Sequence, residues 1–466
     1  MQHPSGRPSI GDIKRRMTEQ RLTRKDYALL ASLVAFAFVP SINQLVIDRL
    51  AVSTDVLDIA GQIEWFDLFN ETLLAFLIVP LYFVFNRARD DAGLSSRIST
   101  TFLAGVVLYS VALIAIYVYA SGLAVYMSAP DESVAYLRLE TVGFAAGFVS
   151  SYMYVVFVVR GRSSYVMMLL ISRAVMLAIG DTMLIPEYGA LGIAATNIMA
   201  NLIMSAVSAV LLFREGLVRG WTGLDRGALR DWLRTGVFSG GQVFIANLVY
   251  MAVVMRMVGE VSQMGDYWLA NNFIWGWLIV PVAAVGEMVK REYFNGYRRI
   301  WNYLALVTVI LVLWLISVPL WDMMFRDVIG MEDPSSVLDI LHKSVPFYTA
   351  YAYSVVIQAV LVSVGRTDYI FCEQVVVNVA YYGLVYGLFL YGSFQPSMDF
   401  AILIFGIGLL VCLVIDVVLY LYSRKHVPCG DPTGIRWDCH SNPHKQDKFH
   451  ALVRIETSCE VSPLPV

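Results

Sequence analysis

The chain has 466 residues, of which 58% are hydrophobic and only 15% are charged, and its mean hydropathy is +0.63. Soluble domains carry about half apolar and about a quarter charged residues, so this composition excludes a soluble globular protein and indicates a chain solvated by lipid. The formal net charge of -3 gives no indication of a nucleic-acid partner.

The first segment, residues 1–26, is a polar and basic arm that contains Lys14, Arg15 and Arg16. It has no short apolar core and no small-residue cleavage site, so it does not have the pattern of a signal peptide. We expect this arm to stay in the cytoplasm.

Twelve apolar runs follow the arm. Each is long enough to cross a bilayer core of about 30 Å, which takes about twenty residues of helix. The pattern predicts an all-α membrane protein with twelve transmembrane helices. They fall at about 27–50, 62–85, 101–127, 134–159, 165–186, 189–213, 236–258, 266–289, 299–323, 337–363, 369–392 and 399–423.

The charges between the runs predict the orientation. Basic residues cluster in the arm and in the even-numbered connections, whereas the odd-numbered connections are mainly acidic. The positive-inside rule therefore predicts a multi-pass protein of the cell (inner) membrane with both termini in the cytoplasm. The longest connection, 214–235, has leucine and tryptophan at helical spacing among arginines, which is typical of an interfacial amphipathic linker. A cytoplasmic tail is expected at 424–466.

The two halves resemble each other. GRSSY at 161–165 matches GRTDY at 365–369, and LIVP at 77–80 matches LIVP at 278–281, with Asn70 and Asn271 at equivalent places upstream. Six helices per half give both copies the same orientation, so we predict two six-helix bundles related by a pseudo-twofold axis along the membrane normal. We call 27–213 the N-lobe and 236–423 the C-lobe.

This architecture is typical of secondary transporters, which enclose a cleft near the bilayer midplane. The chain has no G-x-x-x-x-G-K-[ST] motif for ATP. It also lacks a paired nucleophile and base, and the spans contain no metal-ligand pattern. We therefore expect neither an enzyme nor a metal or organic cofactor, and we expect transport to depend on an ion gradient.

Acidic residues inside spans are costly and are candidate functional residues. Asp48 and Asp181 lie in the outer part of the bilayer, at the level of several hydroxyl and amide groups. Such oxygen ligands suit a hard cation, and a carboxylate in a low dielectric can instead exchange protons, so Na+ and H+ both remain open. Because the second half has no matching acid cluster, the coupling site is expected in the first half only. The predicted cation-coupling residues are Asp48, Asp181, Thr196, Asn70, Glu71 and Asn197.

The spans are rich in aromatic residues, which can line an adaptable apolar cavity, although lipid-facing aromatic belts are the commoner arrangement. Tyrosines recur on the fourth and tenth spans. The predicted substrate-cavity residues are Tyr152, Tyr154, Tyr348, Tyr353 and Asn271.

With these features, the sequence resembles the multidrug and toxic compound extrusion (MATE) family within the MOP flippase superfamily. The resemblance lies in YLRLETVGFAAGFVSSYMYVVFVVRGRSSY at 136–165, AIGDTMLIPEYGALGIAATNIMAN at 178–201 and SVVIQAVLVSVGRTDY at 354–369. It implies that Asp181, Gly189, Gly192 and Thr196 match a segment between helices 5 and 6 of the family. Asp48 matches the coupling aspartate of helix 1 more loosely.

Departures from the family pattern matter. Leu177 replaces an asparagine that often precedes the helix 5 aspartate, and the C-half acids of some members have no match. The resemblance implies an antiporter that exports amphipathic or cationic small molecules by alternating access in exchange for Na+ or H+. The expected partners are these small molecules and the lipid bilayer, and the chain is expected to be a monomer. The alternative is a flippase for a lipid or a lipid-linked oligosaccharide, for which a basic cavity is expected.

Overall fold

The computed structural model describes residues 22, 24–86, 88, 91–216, 225–294, 300–363 and 366–426. Among these residues every regular element is helical, and twelve helices are long and apolar enough to cross a membrane. This confirms the all-α membrane fold. The helices are α1 Asp26–Ser53, α2 Leu57–Phe85, α3 Ala92–Tyr126, α4 Ser133–Val159, α5 Ser164–Tyr188, α6 Ala190–Arg214, α7 Arg226–Glu260, α8 Met264–Tyr293, α9 Ile300–Ile329, α10 Ser335–Ser363, α11 Tyr369–Leu390 and α12 Met398–Ser423.

The segments outside the predicted lobes are only partly described. Helix α7 begins at Arg226, so the later part of the predicted 214–235 linker continues the seventh spanning helix, and 217–224 lie outside the described residues. Most of the predicted arm, 1–21 and residue 23, and the tail beyond residue 426 also lie outside them.

Helix packing repeats between the two halves. Within the N-lobe α4 packs most extensively on α6, and within the C-lobe α10 packs most extensively on α12, which are the equivalent helices. Between the lobes, α2 packs on α7 and α1 packs on α8. A pseudo-twofold axis between the lobes exchanges α1 with α7 and α2 with α8. It converts the contact between α2 and α7 into the contact between α8 and α1, so the packing between the lobes follows this axis.

The GRSSY and GRTDY copies also fold alike. The amide of Arg162 donates to the carbonyl of Phe157 at 2.8 Å, and the amide of Arg366 donates to that of Leu361 at 2.9 Å. Each copy then starts the next helix with a bond from the tyrosine amide to the arginine carbonyl, at 3.0 Å in the first and 3.1 Å in the second. The two motifs therefore form the same hydrogen bonds ahead of helices 5 and 11.

The two LIVP copies interrupt their helices at the same place. Helix α2 breaks at Ile78 between the segments Ile63–Leu77 and Val79–Asn86, and α8 widens into a π-helical turn at Ile274–Leu278. Proline lacks an amide hydrogen and its ring collides with the carbonyl four residues earlier, so a helix deforms just ahead of it. Pro80 and Pro281 supply this cause in the two halves.

The described C-lobe contains three further π-helical turns, whereas the described N-lobe has none. They are Tyr250–Met255 in α7, Met324–Ile329 in α9 and Val376–Tyr382 in α11. A π-helical turn disrupts the regular hydrogen-bond ladder and often occurs at functional sites. The turns in α7, α8 and α11 reach the space between the lobes.

We define the basic side as the side of the molecule at which the arginine-rich even-numbered connections lie, and the acidic side as the opposite one. Long faces of α3 and α9 expose apolar side chains, with Val118 61% and Leu315 66% exposed. Such faces suit contact with lipid chains, as expected for a multi-pass membrane protein.

Candidate functional site

A cavity of about 350 Å³ lies between the two lobes. Its walls come from α1, α2, α4 and α6 of the N-lobe and from α7, α8, α11 and α12 of the C-lobe. A cleft at this interface is what rocking lobes would open to one side or the other. It is therefore the candidate site.

Three carboxylates of α2 line the N-lobe wall of the cavity: Glu64, Asp67 and Glu71. Their spacing of three and four residues places them on one face of the helix. None of the described residues that line the cavity is lysine or arginine. The wall is therefore negatively charged wherever these groups are ionised.

Asparagines of the C-lobe donate to N-lobe carboxylates across the interface. Asn247 Nδ2 donates to Glu71 Oε2 at 2.8 Å, and Asn271 Nδ2 donates to Glu64 Oε1. On α1, just beyond the cavity wall, Asp48 Oδ1 accepts from Asn272 Nδ2 at 3.0 Å. We call these three pairs the seam bonds.

The donors of the seam bonds are neutral amides, so they hold the carboxylates without neutralising them. A carboxylate in a low dielectric gains much from a cation or a proton. A cation that enters the cavity therefore meets partly satisfied acceptors and competes with the lobe-to-lobe bonds.

Aromatic side chains form another part of the wall. Trp275 packs edge-on against Tyr348 with ring centroids 6.0 Å apart, and Tyr250 lies 5.6 Å from Phe405. Aromatic faces attract cations through their quadrupole. The aromatic residues lining the cavity are Tyr136, Tyr250, Trp268, Trp275, Tyr382 and Phe405.

Asp181 lies inside the N-lobe and is only 1% exposed. Neither of its carboxyl oxygens has a hydrogen-bond partner among the described residues. Thr196 lies beside it, but the Thr196 hydroxyl donates to the carbonyl of Gly192 at 3.0 Å. Gly180 allows this approach, because a Cβ there would come within 2.6 Å of the Thr196 methyl group. Asp181 is thus a buried acid with free acceptor oxygens.

Arg173 on α5 acts electrostatically on three acids of the N-lobe, Asp67, Glu140 and Asp181. It therefore interacts with the acids of the lobe interior. One guanidinium cannot balance three carboxylates. If all three carboxyls are ionised, their negative charge exceeds the charge of this guanidinium by two.

Asparagines connect these acids to the rest of the lobe. Asp67 Oδ1 accepts from Asn70 Nδ2 at 3.0 Å, and Asn70 Oδ1 accepts from the Tyr109 hydroxyl at 2.6 Å. Glu140 accepts from Asn197 Nδ2 at 3.2 Å. Both predicted asparagines thus hold acids that the sequence analysis did not select.

The six predicted coupling residues do not form one cluster. Asp181 and Thr196 are adjacent, and Asn70 and Asn197 belong to the acids around Arg173. Asp48 and Glu71 instead form seam bonds with the C-lobe. The structure therefore separates the residues that were expected at one level into a lobe-interior group and an interface group.

The predicted substrate-cavity residues are also divided. Asn271 lines the cavity, and Tyr348 donates to its side-chain oxygen at 3.3 Å. The other three tyrosines do not line the cavity. Tyr152 donates to the carbonyl of Ile98 at 2.8 Å inside the N-lobe, Tyr154 faces Arg173, and Tyr353 bonds to Thr308 at 2.9 Å. The structure therefore does not bring these three tyrosines to the cavity.

Several site residues were missed. Glu64 lies at the start of its helix, in the first turn of the segment Ile63–Leu77. Asp67 and Glu140 are single acids in apolar runs, and a search for acids on a shared helical face would have found Glu64, Asp67 and Glu71. The seam asparagines Asn247 and Asn272 carry no sequence signal of their own.

One ion pair lies outside the spans on the basic side. Arg162 Nη2 contacts Glu215 Oε2 at 2.8 Å and connects the start of α5 to the end of α6. The Arg162 guanidinium lowers the pKa of the Glu215 carboxyl. This pair fixes a connection within the N-lobe and does not cross the interface.

No protein-family model matches the sequence, and no curated protein matches it. Solved structures do match. An inward-facing multidrug resistance MATE family transporter of the MOP superfamily has a TM-score of 0.65 at 15% identity, covering 84% of this chain and 96% of its own. A mutant of the Vibrio cholerae MATE transporter VcmN has a TM-score of 0.61 at 12% identity, covering 85% and 97%.

The lipid II flippase MurJ, in an inward closed conformation, has a TM-score of 0.65 at 13% identity, covering 93% of this chain and 97% of its own. Identity this low establishes a shared fold and not a shared substrate. The chain has the two-bundle fold of MATE transporters and of the wider MOP superfamily.

Proposed function

We propose that this chain is a secondary antiporter that exports amphipathic organic cations across the cell membrane in exchange for Na+ or H+, with both termini in the cytoplasm. The observation that carries the proposal is the cavity between the lobes, which combines α2 carboxylates with aromatic walls.

The cavity chemistry fits an organic cation. Glu64, Asp67 and Glu71 supply negative charge, and aromatic faces such as Trp275 supply apolar contact and cation–π attraction. A ligand site normally combines a mostly apolar wall with a few polar groups that orient the ligand. A molecule with one positive group and an apolar body meets both conditions here.

The N-lobe interior suits the coupling ion. Asp181 has two acceptor oxygens without partners, and Arg173 is the shared basic partner of three acids. A proton or Na+ bound at Asp181 would relieve this excess of negative charge. We propose that Asp181 with Thr196 takes the ion and that the cavity takes the cargo.

The seam bonds can connect the two events. A cargo cation that pairs with Glu71 or Glu64 draws the carboxylate away from its asparagine on the other lobe, so binding loosens a contact between the lobes. A ligand shifts a two-state equilibrium only through such differential contacts. One ion moving down a tenfold gradient supplies about 1.4 kcal/mol, and the membrane voltage adds nothing when one monovalent cargo cation leaves for each ion that enters.

A lipid flippase is the competing function for this fold. A carrier of a lipid pyrophosphate needs basic residues in its cavity. The lining residues of the described chain include three acids and no lysine or arginine. The cavity therefore favours cationic over anionic cargo.

The test is a proteoliposome assay with the purified chain. A Na+ gradient and a pH gradient are imposed separately while a fluorescent organic cation is followed, and an organic anion serves as the control cargo. Gradient-driven movement of the cation alone is expected. Movement of the anion alone, or of neither under any gradient, would contradict the proposal.

A further inference from the structure

A second group of buried carboxylates lies in the C-lobe, away from the cavity. Glu373 on α11 and Asp416 on α12 are both 0% exposed, and neither lines the cavity. At 1.5 Å per residue they lie about 6 Å and about 10 Å from the basic-side ends of their helices. The proposed transport cycle uses neither of them.

Each carboxyl group has one satisfied oxygen and one free oxygen. Asp416 Oδ2 accepts from Ser354 Oγ at 2.7 Å and from Gln358 Nε2 at 3.0 Å, both on α10. Glu373 Oε2 accepts from Gln374 Nε2 at 3.1 Å. Asp416 Oδ1 and Glu373 Oε1 have no hydrogen-bond partner in the described part of the chain.

The groups that act on the two carboxyls are neutral, apart from the carboxyls themselves. They are Ser354 and Gln358 on α10, Gln374 on α11 and the thiol of Cys412 on α12, which lies against Glu373. Asp416 and Glu373 also act on each other. No basic side chain is among these groups, so none of the described side chains that act on the pair balances two negative charges.

We propose that Glu373 and Asp416 form a proton-binding site in which the two carboxyl groups together hold one proton. Two neighbouring carboxylates in a low dielectric cannot both ionise, because each charge disfavours the other and both lose their hydration. One bound proton leaves a single negative charge and converts one carboxyl into an O–H donor.

The surroundings suit a proton better than a metal ion. In the described residues no group of three histidine, cysteine, aspartate or glutamate side chains could hold a metal. The Ser354 hydroxyl and the Gln358 and Gln374 amides donate to the carboxyl oxygens, so they stabilise one remaining carboxylate. The site therefore places a second titratable group in the opposite lobe from Asp181.

Infrared spectroscopy of the purified full chain measures bound protons directly and does not depend on transport. A protonated carboxyl group has a C=O stretch that an ionised one lacks. Spectra are compared for wild type, Glu373→Gln, Asp416→Asn and the double variant at neutral pH. Glu332→Gln, which changes an exposed glutamate of the C-lobe, is the matched control.

We expect each single variant to lose one carboxylic-acid band, because the carboxyl that remains is ionised and carries the single negative charge. The double variant should lose no more than that one band, because the wild-type pair holds only one proton. The control should keep the wild-type band. Loss of ionised carboxylate bands only, or a double variant that loses twice the band of a single one, would overturn the proposal. Gel filtration of each variant confirms that the comparison is made on folded protein.

Discussion

The two lobes share a fold but divide the chemistry between them. The N-lobe supplies the acids of the cavity and of the lobe interior from helices without π-helical turns. The C-lobe supplies the seam asparagines and most of the aromatic wall, and its helices contain four π-helical turns. Duplication thus provided the frame, whereas each copy acquired its own side chains.

The LIVP pair shows how the same motif serves the two lobes differently. In α2 the motif breaks the helix at Ile78, which follows the acids along the chain. In α8 it accompanies a π-helical turn that contains Trp275, a residue of the cavity wall. The acids of α2 precede the break and the asparagines of α8 precede the turn, so the two lobes differ here in the residues themselves.

Among the variants that test the division of chemistry between the lobes, a change at Asp181 is expected to have the largest effect. We predict that Asp181→Asn reduces gradient-driven efflux to the uncoupled background while the chain still inserts in the membrane, because the amide cannot take up a proton and binds Na+ weakly. The measurement is dye efflux from proteoliposomes. Asp131→Asn, at an exposed acid of the connection before α4, should retain wild-type efflux. Full coupling in the Asp181 variant would remove the N-lobe assignment.

A smaller effect is expected at the cavity wall. We predict that Glu71→Gln raises the KM for a cationic substrate by roughly tenfold to a hundredfold, since a hydrogen bond to a charged group is worth about 1.5–3 kcal/mol. A neutral analogue of the same shape should be affected much less. Equal losses for the two substrates would show that Glu71 holds the lobes together and does not bind the cargo.

The aromatic contribution of the C-lobe should be weaker still. Trp275→Leu keeps an apolar side chain but removes the ring face, which contributes about 0.5–2 kcal/mol to binding of a cation. We predict a rise in KM of roughly twofold to thirtyfold with little change in maximum rate. Trp301→Leu, at a residue 76% exposed on the surface of α9, is the matched control and should leave KM unchanged.

The smallest effect is expected at the ion pair outside the cavity. Arg162 lowers the pKa of Glu215, so the contribution of this pair is present above the normal carboxyl range and is lost as the pH falls through the lowered pKa. We predict that Glu215→Gln leaves transport and thermal stability at pH 7 nearly unchanged, because exposed ion pairs contribute little. A large loss of efflux would indicate that this connection moves during the cycle.

The fold was accessible from the sequence because bilayer thickness fixes the length of each span and the two repeated motifs fix the relation between the halves. GRSSY and GRTDY form the same hydrogen bonds, as a duplication requires. The start of α7 was harder to place. The arginines from residue 226 onward are typical of a membrane–water interface, but they belong to the helix.

The site was only partly accessible. Counting residues from a helix end gives the depth of a side chain in the bilayer, and it placed Asp48 and Asp181 near the acidic side. It does not give the direction in which the side chain points around the helix axis. Asp48 therefore turned out to bond to Asn272 of the other lobe, while Asp181 lies inside its own lobe. Hydrogen bonds between lobes join residues about two hundred positions apart, and nothing in the local sequence specifies them.

The depth of Asp181 in the bilayer determines how strongly the membrane voltage acts on a cation that reaches it. Asp181 lies about 10 Å from the acidic-side end of α5, or about a third of the way through a core of about 30 Å. A cation travelling to it from that side crosses about a third of the membrane voltage, worth about 0.8 kcal/mol per 100 mV. With the acidic side outward, as the positive-inside rule predicts, the resting potential itself would help to fill the site, and depolarised cells would load it less well.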